Sequence, residues 1–317
     1  MDINLELYKV FCETAKSCNI SKAAEKLFVS QSAVSQSIKQ LEKKLGVKLF
    51  DRNARGVRLT TEGKVLFSYV NSAISLIENA QLKLSNMQSL NAGEIKIGAS
   101  DTICSLFLLP ILRKFNTKYP DIHISVTNRT TRESIGLLKS GSVDLSFVNL
   151  PIEEDPLLEI TPVMPIRDCF VTGDKYAYLA GSVMDLSELL KYPILMLEKS
   201  SNSRKQMDIF MAGNNLEIQP AIELGSLTLL AEFAKIGLGI AATIKEDVQN
   251  MLDRHELYEL SFNETLPTRY IGLLKVKDVT LSSAAKAFVN TLPKTYLRNT
   301  TELSASTEAE ARIDPNH

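Results

Sequence analysis

A chain of 317 residues is long enough for two or three domains, and 44% apolar with 23% charged residues is ordinary for a globular protein. Four cysteines are too few for a disulfide scaffold, and the formal charge is only −1. No run approaches about 18 uncharged apolar residues, and the first residues lack the layout of a signal peptide, so a cytoplasmic protein without a membrane partner is expected.

The charge is uneven along the chain. Residues 1–65 hold 12 Lys and Arg against 7 Asp and Glu, a net of +5, so residues 66–317 total −6. Such asymmetry suggests a nucleic-acid module joined to something else. The first element is an amphipathic helix carrying Leu5, Leu7, Tyr8, Phe11 and Ala15. A short helix with Ala23, Ala24 and Leu27 follows. Next comes a longer helix whose apolar stripe is Val34, Ile38, Leu41 and Leu45, spaced four, three and four. Ser21 and Ser30 stand where N-caps belong, and Gly46 is placed to end the longer helix. The polar face of that helix carries Gln31, Ser32, Ser35, Gln36 and Lys39. Ser and Gln side chains can hydrogen-bond base edges in a major groove, and Ser30, Ser32 and Ser35 could also meet phosphates. Residues 47–60 read as a hairpin turning at Asn53-Ala54-Arg55-Gly56, with Lys48, Arg52, Arg55 and Arg58 as a basic wing for the DNA backbone.

These residues carry a resemblance. The run Ala-Ala-x-x-Leu-x-x-Ser-Gln-Ser-Ala-Val-Ser, then Ile-x-x-Leu-Glu-x-x-Leu-Gly-x-x-Leu-Phe-x-Arg, then Leu-Thr-x-x-Gly, resembles the winged helix-turn-helix of LysR-type transcriptional regulators. The resemblance spans roughly residues 1–298. It implies a winged helix-turn-helix over 1–61, a linker and dimerisation helix over 62–90, and an effector-binding domain over 91–298. It also implies a tetramer built as a dimer of dimers, and RNA polymerase is a further expected partner.

Residues 61–90 independently support the linker. Leu66, Val70, Ala73, Ile77, Ala80, Leu84 and Met87 are spaced alternately four and three, which is a heptad seam for a homodimer. By resemblance, Thr60 caps the start of this helix. Beyond Gly93, strands at 95–98, 122–126 and 143–148 alternate with helices at 103–119 and 134–138. A second set runs from 193–197 to 240–242. Alternation of this kind indicates α/β units. The resemblance implies two lobes of a periplasmic-binding-protein-like effector domain. Lobe I is expected over about 91–162 and 269–298, and lobe II over about 163–268, with crossings near 162 and 268. Gly237-Leu238-Gly239 follows a helix and precedes a strand, so it reads as a turn and not as a dinucleotide loop. The polar, aperiodic tail 299–317 is expected to be disordered.

Ligands of α/β sheets sit beyond the strand ends, near helix N-termini. Those positions hold Ser100, Asp101 and Thr102; Asn128, Arg129, Thr130 and Thr131; Asn149; Ser200, Ser201, Asn202, Ser203 and Arg204; and Ser226. Hydroxyls, free amides and one or two arginines suit a small anionic effector. For any single Ser or Thr, helix capping is the simpler reading; the convergence of five loops favours a pocket. By resemblance, Ser100, Thr102 and the 200–203 loop match ligand-contacting positions.

No cofactor and no metal are called for. His123, His255 and His317 are scattered, and Cys12 and Cys18 are not at metal spacing. Cys104 and Cys169 read as packing thiols, with a redox role left open. Walker A, Gly-x-Ser-x-Gly and His-Glu-x-x-His motifs are missing from the sequence, which argues against an enzyme with a DNA-binding appendage. The expected function is therefore effector-modulated, sequence-specific binding of promoter DNA. The alternative is an architectural DNA-binding protein whose C-terminal lobes only oligomerise.

Overall fold

The computed structural model describes residues 3–53, 56–88 and 93–293, the side chains at 52, 53, 56, 79 and 82–88 excepted. The described residues form two compact units, one mainly of residues 3–88 and one mainly of 93–293. Arg55, the turn of the expected hairpin, and the tail from 299 lie outside the described residues.

The first unit begins with α1 (Leu5–Ser17), α2 (Ile20–Leu27) and α3 (Gln31–Leu45). Ser30 caps α3, its Oγ accepting the Ala33 amide, and Gly46 ends it in the left-handed region at φ 72°. The expected cap at Ser21 is displaced. Asn19 caps α2 instead, accepting from the amides of Ser21 and Lys22 at 2.8 and 3.1 Å. The chain turns at Cys18 (φ 49°), so the helix starts at Ile20 and Ser21 already lies inside it. The hairpin pairs β1 (Phe50–Asn53) with β2 (Gly56–Leu59).

Phe11, Val34, Ile38, Leu41 and Leu49 are fully buried and form the centre of this unit. Removing each such side chain from water contributes about 1.5–3 kcal/mol. Phe11 meets Phe50 at 5.3 Å and Phe67 at 6.5 Å between ring centroids, which joins helix, hairpin and linker. Glu42 adds a polar strut, its Oε1 accepting the Leu49 amide at 2.8 Å and the Phe50 amide at 3.3 Å.

Helix α4 (Thr61–Gln88) is one continuous run of 28 residues. Thr60 caps it, its Oγ1 accepting the Gly63 amide at 2.9 Å. Ile74 is buried within the unit, while Ala73, Ile77 and Ala80 of the expected seam are exposed and Leu66 and Val70 are half-buried. Leu84 and Met87 lie where side chains are not described. No described helix is long and apolar enough to cross a membrane.

The second unit is built on one mixed sheet. It opens with β3 (Glu94–Ala99), α5 (Asp101–Ile103), a π-turn at Cys104–Leu108, and α6 (Leu109–Lys118). Then come β4 (His123–Asn128), α7 (Thr131–Lys139), β5 (Leu145–Asn149), β6 (Leu158–Thr172) and β7 (Val183–Met184). Next are β8 (Ile194–Leu197), α8 (Asn202–Gly213), β9 (Ile222–Leu224), α9 (Leu227–Lys235) and β10 (Ile240–Ile244). The unit closes with α10 (Lys245–Asp253), β11 (Tyr258–Glu259), β12 (Ser261–Phe262), β13 (Thr268–Val276) and α11 (Ser283–Val289).

The strand order is β4-β3-β5-β13-β6-β10-β8-β9. The outer triplets are parallel, and the two middle strands β13 and β6 run antiparallel to their neighbours. Strand β6 belongs to both halves. Leu158–Arg167 pairs with β13, and Asp168–Val171 pairs with β10. The changeover therefore lies at Arg167/Asp168, five residues past the expected crossing near 162. Pro162 and Pro165 lie within this ladder, which takes them with a register shift between Ile271 and Gly272 and continues.

Phe107, Phe115, Phe147 and Phe288 pack in the first half-sheet's core at centroid distances of 5.2–6.3 Å. Gly237 (φ 81°) turns the chain between α9 and β10, as its sequence context indicated. Gly63 is the tightest test of the first unit, since a Cβ there would overlap the Leu49 carbonyl oxygen, a backbone atom. We therefore expect Gly63→Ala to destabilise this unit by about 1–3 kcal/mol through overpacking. Thermal melting of the full chain checks this, and an unchanged midpoint would mean that α4 can shift away from the hairpin at no cost.

Candidate functional site

The polar face of α3 has the layout a groove reader needs. Gln31, Ser32, Gln36 and Lys39 are exposed and Ser35 is half-buried, opposite the buried stripe Val34, Ile38 and Leu41. The Ser30 hydroxyl is occupied by capping and by a 2.8 Å bond to Ser32 Oγ. Arg58 is exposed on β2, whereas Arg52 is described only in its backbone within β1. Sequence reasoning passed over Phe28. Its ring is 95% exposed in the turn before α3, where the residue adopts φ 54°.

In the second unit, one cavity of about 210 Å³ gathers ten of the eleven expected effector residues. Ser100 and Thr102 come from the start of the helical run 101–118, and Asn128, Arg129 and Thr130 from the turn into α7. Asn149 ends β5. Ser201, Asn202 and Ser203 open α8, and Ser226 opens α9. Four helix starts thus converge on one space, each carrying unsatisfied amides and a positive dipole end.

The hydroxyls and amides differ in what they already do. Thr130 Oγ1 donates to Glu133 Oε2 at 2.8 Å and accepts the Glu133 amide, a reciprocal cap. The Thr130 hydroxyl, and then its backbone amide donating to Oε2 at 3.1 Å, hold the Glu133 carboxyl below its usual range. Asn202 Nδ2 donates to the carbonyls of Asn149 (2.7 Å) and Pro151 (3.0 Å), so Asn202 is a strut between the two halves. Ser226 caps the Leu229 amide at 3.4 Å. By contrast, Ser100 and Ser201 stand at N-cap positions without making a side-chain cap bond. The Ser100 oxygen is buried and has no hydrogen-bond partner.

Two sequence profiles match the chain. The one described as LysR substrate binding domain covers residues 88–296, and the one described as bacterial regulatory helix-turn-helix protein, lysR family, covers 5–64. The chain belongs to the LysR family.

It is thus a transcriptional regulator with a DNA-binding and an effector-binding domain, and not an enzyme. A probable RuBisCO transcriptional regulator of Cyanidioschyzon merolae is 28% identical over 285 residues, covering 85% of this chain and 94% of its own. Full-length OxyR from Pseudomonas aeruginosa has a TM-score of 0.60 at 19% identity, covering 92% of this chain and 95% of that one. Full-length CbnR complexed with its target DNA has a TM-score of 0.58 at 18% identity, covering 92% and 100%. The two structures share the fold.

Within this LysR-family chain, Arg204 departs from the expected role. It does not line the cavity. It is 3% exposed, and its guanidinium donates to Asp208 at 2.8 Å, to the Leu197 carbonyl at 2.7 Å and to Glu223. Burial works against its charge, and the two carboxylates outweigh that and raise its pKa. Asp101, Thr131 and Ser200 line the cavity alongside the expected residues, and so does Glu198, which sequence reasoning missed. Its one signal is position, directly after the apolar strand β8.

All four cysteines are free thiols; Cys12 and Cys169 are buried, Cys104 is half-buried and Cys18 is exposed. Burial raises the Cys169 thiol well above its ordinary value, raises Cys104 with help from Asp101, and raises Cys12 to about 11. A raised thiol pKa favours the protonated form at these three positions.

A buried ion pair lies beside the cavity. Arg269 on β13 donates from Nε and Nη2 to the two Asp168 oxygens on β6 at 2.6 and 2.5 Å. Ser203, which also lines the cavity, accepts from Arg269 Nη2 at 3.4 Å. We expect Asp168→Asn to cost about 3–5 kcal/mol, because it leaves a buried guanidinium without its counter-charge. Urea denaturation of the variant, beside Asp168→Leu/Arg269→Met, is the check. The apolar double replacement should recover most of the loss, and equal instability of both would mean that shape and not charge is what the site requires.

Proposed function

We propose that this regulator reads promoter DNA through α3 and the wing, and that a small anionic effector in the 210 Å³ cavity sets its response. Gln31, Ser32, Ser35 and Gln36 are the base-reading side chains, and Ser30, Lys39, Arg52, Arg55 and Arg58 hold the backbone. Two chains pair through α4, whose exposed Tyr69 (66%) and Ile77 (41%) suit a partner helix, and pairs assemble into a tetramer that can engage RNA polymerase. The setting is the cytoplasm. The half-sheets divided at β6 and β13 act as two lobes.

One observation carries the effector reading. Four helix starts meet at a single cavity, and the two N-cap serines among them, Ser100 and Ser201, withhold their hydroxyls from capping. An anion there would gain charge-assisted hydrogen bonds from amides, hydroxyls and Arg129. Arg129 is exposed, and its guanidinium donates to its neighbour's carbonyl, Asn128 O, at 2.7 Å. The strut from Asn202 to Asn149 and the bond from Arg269 to Ser203 give the ligand a route to lobe geometry. Only a ligand that binds one geometry more tightly can shift the balance.

Gln36→Ala is expected to reduce discrimination between operator and random DNA by about 1–3 kcal/mol if Gln36 makes a bidentate base contact. Competition titration decides it, since equal loss on both DNAs means a phosphate contact. Thr102→Ala/Ser201→Ala should weaken the effector response while ligand-free operator affinity stays near wild type. Footprinting and reporter output with and without effector test this. A full response in the double variant would move the sensor elsewhere, and equal loss in both states would make these residues structural.

A further inference from the structure

The cavity's lining narrows its ligand further. Of the residues that line it, only Leu197 and Leu227 are large and apolar, and no aromatic ring is among them. A planar aryl or long alkyl ligand would find no surface to cover it. The charges are also mixed. Arg129 is the one cation in the lining, against the carboxylates of Asp101 and Glu198. A ligand carrying several anionic groups and nothing else would meet those two carboxylates with no donor of its own.

Each half-sheet presents the same trio: a helix start, an uncommitted N-cap hydroxyl and a carboxylate. In the first half it is Ser100 with Asp101, and in the second Ser201 with Glu198. Asp101 Oδ1 already accepts from Asn128 Nδ2 at 2.5 Å, which leaves its second oxygen free to accept. Glu198 Oε2 accepts only a long bond, 3.4 Å, from Ser200. Carboxylates accept and cannot donate, whereas the serine hydroxyls do both. Ligand hydroxyls, which also do both, complement this lining. An ammonium group, which only donates, could meet the carboxylates and be accepted by the serine oxygens, but it would give the Ser100 and Ser201 O–H groups nothing to donate to.

We infer that the effector is a small polyol bearing one anionic group, with its carboxylate or phosphate against Arg129 and the α7 and α8 starts and its hydroxyls against Asp101 and Glu198. This rests on the cavity being the effector site. Carboxylate and phosphate share the chemistry argued here, and the probes separate them.

The test is calorimetric titration of the full-length chain with two trios. The first is gluconate, hexanoate and 6-aminohexanoate. The second is glycerol 3-phosphate, propyl phosphate and O-phosphoethanolamine. In at least one trio the hydroxylated member should bind at least about tenfold tighter than both others, the loss expected when hydrogen bonds to charged groups go unmade. Glu198→Gln and Asp101→Asn, each first shown to melt like wild type, should shrink that ratio. Deoxy or amino members binding as tightly as the hydroxylated one would overturn the inference, and so would silence from all six probes. The underlying reading fails separately. If a hydroxylated probe binds unchanged to Thr102→Ala/Ser201→Ala, the ligand sits outside this cavity. If a deoxy probe binds and that double variant weakens it, the cavity stands and the hydroxyl requirement falls.

Discussion

The Asp168–Arg269 pair sits where the chain passes between half-sheets. Arg269 is paired in register with Ile166, and Asp168 is the first β6 residue to leave β13 for β10. Burying two charges costs several kcal/mol each, and mutual attraction repays this only with good geometry and added hydrogen bonds. Here the geometry is bidentate and Ser203 adds a contact, but Arg269 Nη1 is left without a partner. The net contribution to stability is therefore small. What the pair supplies is register: a slip of either strand by one residue would turn a charge into the apolar core and leave it alone there. The position of the crossing, and with it the shape of the cavity beside it, depends on this pair.

The cavity follows from how helix starts are satisfied. A start has amides that no residue of its own helix can accept. Asn4, Asn19, Ser30 and Thr60 spend side-chain oxygens on that need in the DNA-binding unit, and each cap contributes about 1 kcal/mol. Thr130 and Ser226 do the same in the second unit. Ser100 and Ser201 do not. Two starts are left without that stabilisation at the same cavity, which is the arrangement expected of a surface that a ligand completes.

The DNA-binding unit separates its tasks by face. Apolar side chains of α1, α3, the hairpin and α4 meet around Phe11, and Glu42 holds the two hairpin amides that would otherwise face the helix unpaired. That leaves the other face of α3 free of structural duty. Small polar side chains can then project from a rigid helix, which is the condition for reading a groove with few bonds.

Much of this was legible in the sequence, because it obeys local rules. The spacing of Val34, Ile38 and Leu41 draws one helix face whatever lies beyond it, and Gly46 is suited to a left-handed end that most side chains resist. The loops that line the cavity were legible too, since polar residues after an apolar strand mark the ends where ligands bind. The remaining decisions needed distant partners. Asn19 displaced Ser21 as a cap because the turn at Cys18 set where α2 begins. Arg204 left the cavity for Asp208 and Glu223, one of them 19 residues away, and Glu198 entered it from a strand end. Arg269 found Asp168 across 101 residues and carried the crossing past the prolines to Arg167/Asp168. Backbone conformation is governed by near neighbours and can be read along the chain. The partner of a buried charge, and whether a hydroxyl is spent or spare, is chosen among groups that only the folded chain brings within 3 Å or so of each other.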